Sequence, residues 1–155
     1  MTLHEALDVV LSDNGNKWIT AGDLAAEVNR RNLYRMRDGR PVEASQIHAR
    51  VRNYSHLFEK NGSRIRLRYR FSTSPLDPTG AYWAAMTEIQ RAEDGAVMYV
   101  MTRLAYSVIP PDGQSPAEYV ATLSNDRARR LVAKGQFEPD REDVALFTTS
   151  GWQQL

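Results

Sequence analysis

The chain has 155 residues, 42% of them hydrophobic and 25% charged, with a formal net charge of +1, values ordinary for one globular domain or two small ones. It contains no cysteine, which excludes disulfides, zinc fingers and thiol catalysis. Its charge is split: residues 1–70 carry 13 Lys+Arg against 8 Asp+Glu, and residues 71–155 carry 7 against 11, so nucleic acid is the first partner to consider for the basic half.

Basic residues are 17 Arg to 3 Lys; arginine offers a planar fork suited to phosphate and guanine edges, and the same bias also follows from GC-rich coding. The N-terminus shows no basic segment followed by an apolar run, and the longest apolar stretch is broken by Arg103. Neither a signal peptide nor a membrane span is expected, and a cytoplasmic address is allowed. Halves of about 70 to 85 residues support only small cores, so docking between them or dimerisation would add stability.

Thr2-Leu3-His4-Glu5 reads as a capping box opening a first helix, whose Leu3, Ala6, Leu7, Val10 and Leu11 form one apolar stripe. Asp13-Asn14-Gly15-Asn16 ends it. Thr20 is the next N-cap, and Leu24, Ala25 and Val28 supply the inner face of a second helix running to about Arg31. After a turn at Asp38-Gly39, the recurrence of Ala44, Ile47, Val51 and Tyr54 predicts a third helix, roughly residues 43–55. Asn61-Gly62 between Leu57-Phe58-Glu59-Lys60 and Arg64-Ile65-Arg66-Leu67 is a strong hairpin signal. Three helices followed by a hairpin predict a winged helix over residues 1–70.

For residues 71–155 the expectation is a small α+β module serving dimerisation or partner binding. Ser72-Thr73-Ser74-Pro75 is the one linker-like stretch. Tyr82, Met86 and Ile89 suggest a helix over 79–92 closed by Glu93-Asp94-Gly95, and the β-branched and aromatic run from Val97 to Ile109 suggests one or two strands. Ser115-Pro116-Ala117-Glu118 is a second capping box with Pro at the first helical position. Gly135 after Arg129, Arg130 and Lys134 reads as that helix's stop, and Val144 to Thr149 as a final strand.

On a helical wheel, Ala44, Ile47, Val51 and Tyr54 of the third helix share the inner side. Ser45, Ala49, Arg52, Asn53 and His56 then lie opposite, with Gln46 and His48 on the flanks. A recognition helix needs small residues at its centre so that its backbone can enter the ~12 Å wide major groove, with hydrogen-bonding chains around them. Ala49, ringed by Gln46, Arg52 and Asn53, meets that need. Lys60, Asn61, Arg64 and Arg66, with Ser63, are the candidate phosphate or minor-groove contacts of the wing. The candidate DNA-binding set is therefore Ser45, Gln46, His48, Ala49, Arg52, Asn53, Lys60, Asn61, Arg64 and Arg66. Arg30, Arg31, Arg35, Arg37 and Arg40 lie on the approach to the helix. Any exposed helix face is polar, however, and alternation of Arg64, Arg66, Arg68 and Arg70 also fits a plain outer strand face.

The residues Leu3-His4-Glu5-Ala6-Leu7, Leu24-Ala25-Ala26-Glu27-Val28, Leu33-Tyr34, Asp38-Gly39 and Gln46-Ile47-His48-Ala49-Arg50-Val51, with Leu57-Phe58 before Ile65-Arg66-Leu67, resemble the HARE-HTH domain. That winged-helix family is found beside restriction endonucleases, in the delta subunit of bacterial RNA polymerase and in Asx-like chromatin proteins. The resemblance covers about residues 2–69. It implies a role in binding duplex DNA, linked to transcription regulation or to restriction and defence, with modified DNA among the candidate targets. The polymerase-associated members imply the rival that such a domain docks on RNA polymerase or on a nuclease subunit. The long acidic tail of a delta subunit is missing.

A second rival is a metal-dependent nuclease with its site in residues 71–155. Such a site needs converging carboxylates and usually a lysine, yet Lys134 is the sole lysine of this half and no His follows His56. No phosphate-cradling glycine motif is present, and His4, His48 and His56 are badly spaced for a metal. No catalytic residue, cofactor or metal is expected. Arg127, Arg129, Arg130 and Lys134 read as helix-end charges or as a second DNA contact, and Trp83, Trp152 and the tyrosines as core or as an oligomer interface. The expected partners are double-stranded DNA, a protein bound through residues 71–155, and a second copy of the chain.

Overall fold

The computed structural model describes residues 1–79, 81–111, 113–137, 142–148 and 151–154, with 77–79, 142–148 and 151–154 described by backbone alone. The architecture is mixed α+β, with four helices and two sheets among the described residues. The chain divides into two compact units, Met1–Arg68 and Tyr69–Leu155.

In the first unit, α1 (Leu3–Asp13) starts at the expected capping box, with Thr2 Oγ1 accepting from Glu5 N–H and Glu5 accepting from Thr2 N–H. It ends at Asn14-Gly15-Asn16, where Gly15 and Asn16 adopt positive φ and Asn16 N–H donates to Leu11 C=O. This six-to-one closure satisfies carbonyls that the helix end leaves open. The Asn16 side chain is buried and clamps the backbone of Leu67, 51 residues away: Nδ2 donates to Leu67 C=O at 2.9 Å and Oδ1 accepts from Leu67 N–H at 2.7 Å.

Helix α2 (Ala21–Arg30) is capped by Thr20 and closes at Asn32, again at positive φ. Asn29 at its end holds both backbone groups of Val42, fixing the loop that delivers α3 (Ala44–Asn53). Ile19–Thr20 forms a two-residue strand, β1, that the sequence pattern does not suggest, because it exists only as a partner of another strand. β2 (Phe58–Asn61) and β3 (Arg64–Leu67) form the hairpin, giving a three-stranded antiparallel sheet of order β1-β3-β2. Its loop is Gly62-Ser63, one residue later than expected from Asn61-Gly62. Asn61 pairs with Arg64, and only Gly62 takes positive φ, as glycine does at the first position of a II′ turn. The stripes of the three helices close with Phe58, Ile65 and Leu67 on one core.

The second unit begins directly with β4 (Tyr69–Thr79), followed by β5 (Tyr82–Arg91) and β6 (Val97–Ala105) in an antiparallel meander. Helix α4 (Pro116–Ala133) crosses to β7 (Glu142–Thr148), which runs parallel to β6, and β8 (Gly151–Gln154) follows. The sheet order is β4-β5-β6-β7-β8. The capping box at Ser115 and Glu118 forms as expected. Gly135 (φ +71°) stops α4, with Gln136 N–H donating to Leu131 C=O.

Three expectations are overturned here. The segment 79–92 is not a helix: Ala85, Thr87 and Ile89 alternate as buried residues along β5, a period of two. The spacing of Tyr82, Met86 and Ile89 imitates a helical stripe, and Glu93-Asp94-Gly95 turns a hairpin instead of ending a helix, with Gly95 N–H donating to Arg91 C=O. Ser72-Pro75 is not a linker but the middle of β4, paired with Ala85–Glu88. Proline is tolerated there because β4 is an edge strand. Arg64, Arg66, Arg68 and Arg70 do not share one strand face, since β3 ends at Leu67 and Arg70 belongs to β4 in the other sheet.

Helix α4 covers one face of the second sheet, with Val120, Ser124, Ala128 and Val132 buried at every fourth position. Hydroxyls line this layer: Thr73 and Thr87 Oγ1 lie 2.9 Å apart, Thr87 Oγ1 and Ser124 Oγ 2.8 Å, and Ser124 Oγ donates to Val100 C=O. Trp83 packs in this layer beside Ala85, Leu104 and Val120. The side chain of Trp152 and residue 149 of the expected last strand lie outside the described residues.

Candidate nucleic-acid interface

Helix α3 is the element to which the sequence pattern assigns recognition. Ile47 and Val51 are buried while Ser45, Ala49, Arg52 and Asn53 are exposed, as is His56 just beyond the helix. The small Ala49 thus lies mid-helix on the outer side. Glu43 N–H donates to Gln46 Oε1 at 2.7 Å, so Gln46, half-buried, spends its carbonyl on the helix start.

Basic charge on α3 and the hairpin is unevenly committed. Between residues 44 and 64 the one carboxylate is Glu59, and it is bound to arginines of its own unit: Arg66 Nε at 2.5 Å and Arg68 Nη1 at 3.6 Å. Arg66 also lies over the Trp18 ring, 4.5 Å from guanidinium carbon to ring centroid. Arg68 donates to the Ser55 carbonyl. Arg52, Lys60 and Arg64 are exposed and form no ion pair among the described residues. Of the expected wing contacts, Lys60, Asn61 and Arg64 therefore stand in solvent. Arg66 is half-buried in a cross-strand pair stacked on an aromatic ring.

His48 joins the two elements. Its pKa is lowered, chiefly by burial, with the positive charges of Lys60 and Arg52 adding to the effect. Its Nδ1 is buried and has no hydrogen-bond partner among the described residues. Burial and nearby positive charge thus both disfavour protonation of His48.

At the helix's other flank, Arg50 points to the first helix rather than outward. His4 stacks on Tyr54 with centroids 4.0 Å apart, and Arg50 Nη1 approaches His4 Nδ1 at 3.5 Å. Burial and then Arg50 lower the His4 pKa. These contacts tie α1 to the end of α3.

The arginines on the approach to α3 are mostly engaged. Arg30 and Arg31 bind Glu27, and Arg31 also binds Asp13. Glu27 is held at about 2 as a result, the hydrogen bond from Arg30 being the largest cause. Arg35 donates to Asn32 and Arg40 to Asp38, leaving Arg37 exposed and outside any ion pair among the described residues.

In the second unit, Arg129 lies over the Phe71 ring at 4.4 Å, so one member of the basic α4 group packs on the sheet. Among the described residues no three His, Asp or Glu side chains gather in a way that could hold a metal ion, and no helix is long and apolar enough to cross a membrane.

Trp18, Glu59, Asn16 and Asn29 support this surface and are not singled out by sequence. The cross-strand partnership of Glu59 and Arg66 follows once the hairpin register is known. The partners of Asn16 and Asn29 carry no local signal. No protein-family model, no curated protein and no solved structure matches the chain.

Proposed function

We propose that Met1–Arg68 is a winged helix that binds duplex DNA, laying α3 in the major groove with the β2–β3 hairpin as the wing. The observation that carries this reading is the charge pattern on α3 and the hairpin. The single carboxylate of that stretch is neutralised internally, while Arg52, Lys60 and Arg64 remain exposed and unpaired among the described residues. Ala49 gives the backbone room to approach, and Arg52 and Asn53 have the donor and acceptor geometry for guanine and adenine edges. Ser45, Lys60, Asn61 and Arg64 supply phosphate contacts that set register without reading sequence. Gln46, bound to the start of its own helix, Arg66, bound to Glu59 and stacked on Trp18, and the half-buried His48 act at the margin.

The resemblance to the HARE-HTH family supports the same reading, and the residues that carry it, such as Leu7, Leu24, Ile47 and Ile65, are core positions of this unit. On that resemblance the role is in transcription regulation or in a restriction-linked process, with base-modified DNA as a candidate target. The test is titration of labelled duplexes, plain and base-modified, at two salt concentrations. Affinity should fall with a log–log slope near about −0.9 per phosphate contacted. Arg52→Ala or Asn53→Ala should relax sequence preference, whereas Arg64→Ala should weaken all duplexes alike. A complex with a cellular protein that survives nuclease treatment, together with no binding to any duplex, would instead identify α3 as a protein-docking face.

A further inference from the structure

The second sheet has two unlike faces. Along β5 and β6 every α4-facing residue from Ala85 to Ile89 and from Met98 to Leu104 is buried, whereas the alternate residues include none that is buried. α4 is the one helix described in this unit, so the alternate face carries no helix of its own unit among the described residues. Its centre is a cross-strand pair of methionines, Met86 opposite Met101. The row on one side of that pair is Glu88 opposite Tyr99, and the row on the other is Ala84 opposite Arg103. Tyr99 is 38% exposed. Methionine, tyrosine and arginine are the residue types that concentrate at protein interfaces.

We infer that this face is the contact surface of a homodimer, in which a second copy of the chain packs sheet on sheet about a twofold axis. The charges choose the occupant. Glu88 and Arg103 lie on opposite sides of the methionine row, about 13 Å apart along the strands, and neither forms an ion pair among the described residues. A twofold that lays the face on itself with strands antiparallel sets the methionine row on its counterpart and exchanges the outer rows. Arg103 of each copy then meets the row holding Glu88 and Tyr99 of the other, and both pairings are made twice by symmetry. Pairing through the β4 edge is disfavoured, because Pro75 removes a donor from it. This inference concerns a different surface from α3 and stands or falls apart from DNA binding.

The test is the mass of the full chain in solution by light scattering and sedimentation across a hundredfold range of concentration. The wild type should reach twice the monomer mass. Arg103→Glu and Glu88→Arg should each raise the dimer dissociation constant at least about tenfold through like-charge contact with unchanged circular dichroism, and the double exchange E88R/R103E should restore the dimer. Because the chain has no cysteine, Met101→Cys gives a second reading. Facing sheets lie ~10 Å apart, beyond the reach of a direct disulfide, so a short bis-maleimide should join this variant into a covalent dimer, while Thr122→Cys, altered at an exposed position on α4, should not be joined. A wild type that stays monomeric over the whole range overturns the inference. So does a dimer indifferent to the single charge reversals, a double exchange that fails to restore it, or cross-linking of the Thr122→Cys variant in preference to the Met101→Cys variant.

Discussion

In Met1–Arg68 the polar side chains that hold the fold are amides at chain reversals, whereas in Tyr69–Leu155 they are hydroxyls lying inside the layer between sheet and helix. Asn16 and Asn29 bind backbone groups of Leu67 and Val42, which fixes loops and leaves the outer side of α3 with no part in the core. Thr73, Thr87 and Ser124 bond to one another across β4, β5 and α4, which fixes how the helix lies on one face of the sheet. Stability and recognition therefore separate differently in the two units. In the first, the polar surface of α3 can change without disturbing the packing. In the second, the helix-covered face is specified by hydroxyls, and the alternate face has no fully buried residue along β5 and β6.

The sharpest way to break this contrast is Asn16→Ala. It leaves both backbone groups of the buried Leu67 without their partner and places alanine at a positive φ, so the first unit should lose about 2–4 kcal/mol in urea unfolding. A loss below about 1 kcal/mol would show that the amide clamp does not hold the fold. Thr87→Val keeps the shape but removes the middle of the hydroxyl chain. Ser124 retains the Val100 carbonyl as acceptor, so the second unit should lose only about 1–2 kcal/mol. Arg52→Ala, at an exposed position with no ion pair among the described residues, should leave stability within about 0.5 kcal/mol of wild type even though it changes binding.

The smallest effect is electrostatic and has one instance in each unit. Glu27 and Asp94 are both held at about 2, the first chiefly by the hydrogen bond from Arg30 and the second by that from Arg91. Their folded pKa values lie below the unfolded ones, so each adds stability above the ordinary carboxylate range that is lost as pH falls through about 2. Carboxyl carbon shifts followed by NMR should show both titrating well below the ordinary carboxylate range. Titration of either near about pH 4 would show that its arginine is not bound in solution.

What the sequence makes legible follows the range of the forces. The three helices of the first unit and α4 are set by neighbours within a turn, a capping residue at the start and an apolar stripe, so they read correctly down to the capping boxes at Thr2 and Ser115. β5 passes for a helix because Tyr82, Met86 and Ile89 satisfy helical spacing, and only pairing with β4 and β6 decides the matter. The middle of β4 passes for a linker because a Ser-Thr-Ser-Pro run is typical of linkers and equally suits an edge strand. On α3 a wheel separates the buried from the exposed side, since that depends on period alone. It cannot tell that Arg66 is spoken for by Trp18 and Glu59, nor that Gln46 closes its own helix.

The central claim is that the outer side of α3 reads duplex DNA. Its most direct test is the equilibrium binding of wild type and Arg52→Ala to a panel of labelled duplexes at two salt concentrations. Both proteins should bind in a salt-sensitive way, with Arg52→Ala losing its discrimination between sequences more than its affinity for any one of them. Binding that is absent on every duplex, or an Arg52→Ala loss that is equal on all of them, would contradict the claim.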